Sequence, residues 1–369
     1  MKRVIVTVTN DLVTDQRVKK ICLTLMQSGY EVFLVGRKLS SSPEMDTRPY
    51  DTHRIRFLFN KGALFYAEFN IRLFFKLLFA KTTIVYANDL DTLPAAFFAS
   101  QLRGFKLIYD THELFTEVPE LKENAFARKV WLGFEKFIFP KLNHVITVND
   151  SIARIYHEKY GVDVKVMRNL PLKQNDAVSK VDTPPLPEAK YKLILQGSGI
   201  NIQRGAEEAL EAVKLLDDTV LILAGSGDVI PLLKTKVQAE QLQDKVHFIP
   251  RMEYSVLLSV TRQCDLGLSL DKDTNLNHRY SLPNKIFDYF KAGIPVLISN
   301  LPEIKKVVST YDTGWITKSH NPKKIAEMVQ QIFDNKEEYQ QKKTNTAAAT
   351  QELHWENESR TLTTILQQL

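Results

Sequence analysis

The chain has 369 residues and is 44% hydrophobic, 25% charged and 10% aromatic, which excludes a disordered chain, a coiled coil and a low-complexity array and sets two domains as the expectation. Its formal charge of +6 falls on the first half, where residues 1–170 alone carry +7, so that half is suited to an anionic partner such as a lipid headgroup or a phosphorylated acceptor. Two cysteines far apart, Cys22 and Cys264, exclude a disulfide framework and read as core residues of a reducing compartment.

The chain opens on Met1-Lys2-Arg3 and a short β-branched run, without the long uncharged stretch and cleavage site of a signal peptide. No apolar run reaches the ~18 residues that span a bilayer. The expected location is therefore the cytoplasm, with the inner face of the membrane as a peripheral surface.

Strands are predicted at 4–9, 31–36, 54–59, 83–87, 106–110, 144–148 and 164–168, and helices at 15–29, 63–80, 92–101, 125–141 and 151–159. Nearly continuous apolar strands alternating with helices argue for a doubly wound α/β domain, in which ligands bind beyond the carboxyl ends of the strands. The first strand runs into Thr9-Asn10-Asp11-Leu12-Val13-Thr14-Asp15-Gln16-Arg17. Asn10, Asp11 and Arg17 are candidate acceptor-side residues, because a cation in a first helical turn opposes the helix dipole unless it faces an anion. Asp91 reads as the cap of the helix at 92. The strand at 106–110 leads into Tyr109-Asp110-Thr111-His112-Glu113, a histidine and carboxylates placed for polar work, with Glu113 also on the acceptor side. The histidines lack metal-ligand spacing, so no metal site is expected.

Residues 171–190, polar and proline-rich, read as a linker between a first domain, 1–170, and a second, 191–349. Strands then resume at 192–196, 219–224, 246–249, 266–270, 295–299 and 314–317. Helices are predicted at 204–216, 229–243, 253–263, 284–292, 301–308 and 322–334, and a last helix at about 350–368 follows the polar stretch 342–346. Two α/β domains would then face each other across a cleft. Gly197-Ser198-Gly199, followed by Arg204, and Gly225-Ser226-Gly227 both follow strands. Glycines admit phosphates to the backbone and Arg204 adds a charge shaped for them. In Tyr280-Ser281-Leu282-Pro283-Asn284-Lys285-Ile286-Phe287-Asp288, Pro283 marks a helix start. Lys285 and Asp288 share one face, the first for a phosphate and the second for ribose hydroxyls. Gly293 ends that helix.

These residues resemble family 4 of the retaining glycosyltransferases, whose fold is GT-B, two Rossmann-like domains. The resemblance rests on Asp15-Gln16-Arg17, Gly29-Tyr30-Glu31-Val32, Tyr109-Asp110-Thr111-His112-Glu113 and Arg204-Gly205. It continues in Ala224-Gly225-Ser226-Gly227, Leu282-Pro283-Asn284-Lys285-Ile286-Phe287-Asp288-Tyr289 and Ile294-Pro295-Val296. It implies that Arg204 and Lys285 bind the diphosphate of a UDP- or GDP-sugar and that His112 reaches the donor sugar. Asp288 would be the second carboxylate of an E-x7-E motif, holding the ribose. The first glutamate falls at Tyr280, which brings no carboxylate, and Asp271 or Asp273 could replace it. The backbone at 248–251, ending in Arg251, would read the nucleobase, with Ser281 and Leu282 lining the same donor site. Trp355-Glu356 would lie in a final segment, 350–369, that packs back on the first domain.

The expected activity is metal-independent sugar transfer, with retention, to a polysaccharide or lipid-linked glycan. No cofactor and no nucleic-acid partner are implied. A nucleotide-sugar 2-epimerase and a catalytically silent nucleotide-sugar-binding protein are the alternatives. The helix at 63–80 carries Glu68, Arg72 and Lys76 on one narrow stripe among aromatic and aliphatic residues. It fits either the core or an anionic membrane surface.

Overall fold

The computed structural model describes residues 2–13, 15–173 and 182–369. Residues 174–181 of the expected linker and Thr14 of the first loop lie outside the described residues. The chain divides into two compact units, one of Met1–Asn169 with Glu358–Leu369 and one of Leu170–Asn357.

In the first unit β1 (Arg3–Asp11), β2 (Glu31–Arg37), β3 (Asp51–Ile55), β4 (Ile84–Asn88), β5 (Lys106–Thr111), β6 (Val145–Thr147) and β7 (Val164–Val166) form a parallel sheet of order β3-β2-β1-β4-β5-β6-β7. In the second, β8 (Tyr191–Gly197), β9 (Thr219–Gly225), β10 (Val246–Ile249), β11 (Leu266–Ser269), β12 (Val296–Ser299) and β13 (Gly314–Thr317) form another, of order β10-β9-β8-β11-β12-β13. Alternate residues of β8 and β9 enter opposite cores. Leu193, Leu195, Leu221 and Leu223 pack in one, Ile194, Ile222 and Ala224 in the other. Burial on both faces is why these strands read as unbroken apolar runs. In each sheet the order reverses at one place, between β1 and β4 and between β8 and β11, and such a switch point is where open α/β sheets bind ligands.

Three expectations are corrected. The third strand is Asp51–Ile55 rather than 54–59. The Leu58 and Phe59 amides donate to the Glu68 carboxylate, not to a ladder, while the Phe57 ring packs on Phe65 and Phe69 at 5.5 and 5.3 Å between centroids. The polar stretch 342–346 lies inside a helix, Lys336–Thr350. That helix has no apolar stripe to betray it. It is started by the Asn335 side chain accepting from the Glu338 amide, an N-cap. The last helix is not continuous over 350–368 but consists of Trp355–Glu358 and Arg360–Gln367.

Of the segment 350–369, only Glu358 onward belongs to the first unit. There Arg168 clamps Glu358 with both guanidinium ends at 2.9 and 2.7 Å, and Leu362, Ile365 and Leu366 are buried. Trp355 and Glu356 stay with the second unit, where the Trp355 amide donates to Pro171 and Glu356 accepts from the Lys173 amide. Within the linker range, Leu186 packs against the core of the second unit.

Candidate functional site

At the switch point of the second unit, β8 leads to Arg204 and β11 to Asp271. The carboxylate of Asp271, 1% exposed, accepts from Arg204 Nη1 at 2.8 Å and lies 3.5 Å from Lys285 Nζ, and Ser269 donates to its other side at 3.1 Å. Burial pushes this carboxyl up, but the charges of Lys285 and Arg204 outweigh burial and hold it below the usual range. One buried anion thus fixes two cations that stay partly open, with 27% of the Arg204 side chain and 12% of the Lys285 side chain exposed. Asp271 thus offsets only one of the two positive charges it orients.

Backbone packing enforces this arrangement. Gly205 sits at φ 84°, and a Cβ there would overlap Leu270, so only glycine lets the two loops close and bring Arg204 to Asp271. The Lys272 amide donates to the Gln203 carbonyl at 3.0 Å across the same seam. The helix Lys285–Ala292 is pinned to the strand ends by Tyr289, whose hydroxyl contacts the Gln196 amide and the Ile194 and Leu268 carbonyls at 3.1–3.2 Å. Its N-cap is Asn284, so Pro283 precedes the cap instead of opening the first turn. Gly293, at φ 79°, closes it. Asp288, one turn beyond Lys285, accepts from the Tyr254 hydroxyl at 2.9 Å.

The two glycine turns divide in purpose. Ile200 and Ser226 amides bind the Ser226 and Gly197 carbonyls at 2.8 and 3.1 Å, so the loops are laced together. A Cβ at Gly225 or Gly227 would strike Gly197 or Ile200 backbone. Those two glycines serve loop-to-loop contact, whereas at Gly197 and Gly199 a Cβ would meet nothing nearer than 3.8 and 3.9 Å. Beside Ser198, these are the positions with room for a ligand.

Ser281 donates to the His278 carbonyl, Tyr280 and Leu282 are half-buried and Arg251 is exposed. The two expected substitutes for the missing glutamate differ in setting, since Asp273 keeps 44% of its side chain exposed and Asp271 1%. Asp271 is buried under its two cations, and Asp273 is bound through both oxygens by Arg279 at 2.9 and 3.0 Å.

In the first unit Arg17 is 4% exposed and faces an anion of the protein itself. It binds Asp110 through Nε and Nη2 at 3.0 and 2.8 Å, and the Met167 carbonyl through Nη1 at 2.9 Å. That corrects its placement on the acceptor side: the guanidinium is spent inside the fold. Tyr86 also donates to Asp110, at 2.8 Å. His112 lies between two carboxylates, with Nδ1 3.0 Å from Asp89 and Nε2 3.4 Å from Asp110, and its amide donates to Asp89 at 2.9 Å. Burial lowers its pKa, but the Asp89 and Asp110 charges win and raise it to about 10, so the imidazole is a cation at neutral pH.

Asn10 donates to Asp15 at 3.0 Å and Asp11 accepts from the Val13 amide at 3.0 Å, shaping the loop beyond β1. Glu113 is half-buried, and its carbonyl accepts from Thr111 at 2.8 Å. Asp91 is not the helix cap, because the helix Leu93–Arg103 starts on Thr92 without a side-chain cap. The Asp91 carboxyl instead accepts from the Thr9 hydroxyl.

Residues 15–169 match the family model described as Glycosyltransferase Family 4, and residues 181–349 the model described as Glycosyl transferases group 1. This chain is a family 4, group 1 glycosyltransferase-family member. Among solved structures, a sucrose-phosphate synthase from Thermosynechococcus elongatus is similar with a TM-score of 0.78 at 15% identity, over 100% of this chain and 99% of that one. Alr3699/HepE of Anabaena, in complex with UDP and glucose, is similar at 0.73 and 14%, over 100% of both chains.

The fold is GT-B. A chitobiosyldiphosphodolichol beta-mannosyltransferase of Candida albicans is 26% identical over 258 residues, 63% of this chain and 55% of that protein. Its counterpart from Kluyveromyces lactis is 23% identical over 356 residues, 85% of this chain and 78% of that protein. This family member spans about 55–65% of the length of the first two curated relatives it matches.

Three residues of the family member's sites escape sequence reasoning. Asp271 was legible only as a substitute carboxylate, and its role as an anchor needs the fold. Asp89, which holds His112, is a non-glycine residue at φ 57°, a conformation that sequence does not announce. Tyr254, the partner of Asp288, is 34 residues away from it and leaves no local signal.

Proposed function

We propose that this protein transfers a sugar from a nucleoside-diphosphate donor to a lipid-linked glycan. The observation that carries the reading is the pair Arg204 and Lys285, oriented by buried Asp271 at the switch point. When the bond from C1 of the sugar to the diphosphate breaks, negative charge grows on the departing phosphate. Fixed cations stabilise that charge without reorganising, and removing one such group costs ~10²–10³ in rate. Because two side chains supply the charge, we expect activity to survive EDTA, and a fall on chelation would contradict this assignment. Asp288 would hold the ribose, and the backbone at Gly197 and Gly199 leaves space for the phosphates.

The acceptor class is supported by the relatives, whose names give a diphosphodolichol-linked disaccharide as substrate. With retention, the acceptor hydroxyl attacks from the side the diphosphate leaves, and a phosphate oxygen takes its proton. A second reading, inversion, is favoured by the word beta in those names, since a β-link made from an α-linked donor requires it. Incubation with UDP- and GDP-sugars and a lipid-diphosphate disaccharide, followed by NMR of the product anomer, tests both. An α-product from an α-donor supports retention and a β-product inversion. Epimerised donor, or binding without transfer, would overturn the assignment in favour of an epimerase or a silent binding protein.

We propose further that the first unit rests on an anionic membrane surface. No helix among the described residues is long and apolar enough to cross a membrane. The helix Gly62–Phe79 buries Phe65, Phe69, Leu73 and Leu77 yet leaves Ile71, Phe75 and Phe79 at 58%, 53% and 77% exposure. Neighbouring helices expose Leu102, Phe126 and Phe137, beside Arg103, Lys129, Lys136 and Lys141. Apolar groups rimmed by cations suit an interface with anionic lipid. Flotation with phosphatidylglycerol vesicles at low salt should carry the protein upward, and Phe75→Glu with Phe79→Glu should abolish it. Absence of flotation by the native protein would remove this element.

A further inference from the structure

We infer that Asp91 binds a hydroxyl group of the acceptor glycan. This rests on the reading that the first unit takes the acceptor. Asp91 follows β4 and is tied to Thr9 near the end of β1, so the pair bridges the switch point of the first sheet, where a ligand is expected. The residue is 6% exposed, and among the described residues no salt bridge reaches its carboxylate. Its Oδ1 is buried and lacks a hydrogen-bond partner among the described residues, as does the neighbouring Asn88 Oδ1. An unsatisfied buried oxygen costs ~1–3 kcal/mol, and native folds keep few of them. Two at one strand end point to a hydrogen-bonding ligand.

The surroundings select its chemistry. The groups facing the carboxyl are Thr9 from β1, Tyr66 on the helix Gly62–Phe79, Asp89 beside it, and His112 and Glu113 beyond β5. Asn70 of that helix binds the Asp91 carbonyl at 2.8 Å. Burial, then the charge of Asp89, raises the Asp91 pKa to about 8, against the smaller pull of Thr9 and His112. At pH 7 the group is mostly an uncharged acid. It offers one donor and one acceptor, a match for a sugar hydroxyl and a poor match for a phosphate or a cation.

The test uses the full-length enzyme, with transfer first established by the NMR experiment above, so that failure here falls on Asp91 alone. Acceptor KM and donor affinity are measured for the native enzyme, Asp91→Asn and Asp91→Ala between pH 6.5 and 9. We expect Asp91→Ala to raise acceptor KM by about tenfold or more without changing UDP or GDP affinity. Asp91→Asn, which keeps a donor and an acceptor, should stay within about threefold of native. Acceptor KM of the native enzyme should climb above pH 8, and that of Asp91→Asn should not, an arm that stands even where Asp91→Ala folds poorly. An acceptor KM indifferent to Asp91→Ala, or an Asp91→Asn enzyme as impaired as Asp91→Ala, overturns the inference. The first result would leave Asp91 a structural, water-bound group. The second would require its charge.

Discussion

Asp110 and Asp271 perform the same act on different terms. Each is a buried carboxylate at a strand end that orients cations, yet Arg17 is sealed at 4% exposure while Arg204 keeps 27%. A sealed ion pair holds a loop in place, and a half-open one has charge left for a ligand. Asp110→Asn should therefore destabilise the first unit by about 3–5 kcal/mol, because it strands a buried guanidinium; a denaturant midpoint within error of native would contradict this.

The same corner sets a pH dependence. His112 has its folded pKa raised to about 10, so its stabilising contribution is whole below ~6.5 and is lost as pH rises through 10. The raised Asp91 carboxyl acts in the same direction. Its contribution is whole below ~3.9, the unfolded value, and is lost as pH climbs through about 8. Melting temperature should fall from pH 7 to 10, and His112→Gln should flatten that limb. An equally steep limb in the variant would mean that His112 is not the cation described.

At the scale of elements, the strands and most helices were legible because burial on both faces writes an apolar run into the sequence. Ile194 and Leu195 lie in opposite cores, and both had to be apolar. Legibility failed where polar groups make the structure. Glu68 stops β3 by taking two amides, and the helix Lys336–Thr350 shows no apolar period. At the sites, residue types in motifs were readable for Arg204, Lys285 and Asp288. The partners that orient them were not, because Asp271 reaches Arg204 across 67 residues and only the fold brings them together. The direction of Arg17 is illegible in the sequence for the same reason, since its anion is 93 residues away.

Gly205 joins the element to the site. Gly205→Ala would place a side chain at φ 84° against Leu270, costing ~1–2 kcal/mol for the backbone alone. It should weaken nucleotide binding beyond what that stability loss explains. Unchanged binding would show that the seam does not position Arg204.

Over the whole molecule, exposed apolar side chains gather on the first unit, which also holds the positive charge, while the second unit carries the Arg204–Lys285–Asp271 cluster. The chain returns to the first unit only at Glu358, where Leu362, Ile365 and Leu366 each contribute ~1.5–3 kcal/mol by burial. Truncation after Asn357 should lower the stability of the first unit and leave nucleotide binding by the second intact. Loss of both together would contradict this division of labour.

The most direct test of the central claim is calorimetric titration of UDP and GDP into the native protein, Arg204→Ala and Lys285→Ala. Saturable binding of one of these nucleotides is expected, with about a tenfold or greater loss of affinity in each variant, as when a charged phosphate contact is removed. Native-like affinity in both variants, or no binding of either nucleotide to the native protein, would contradict it.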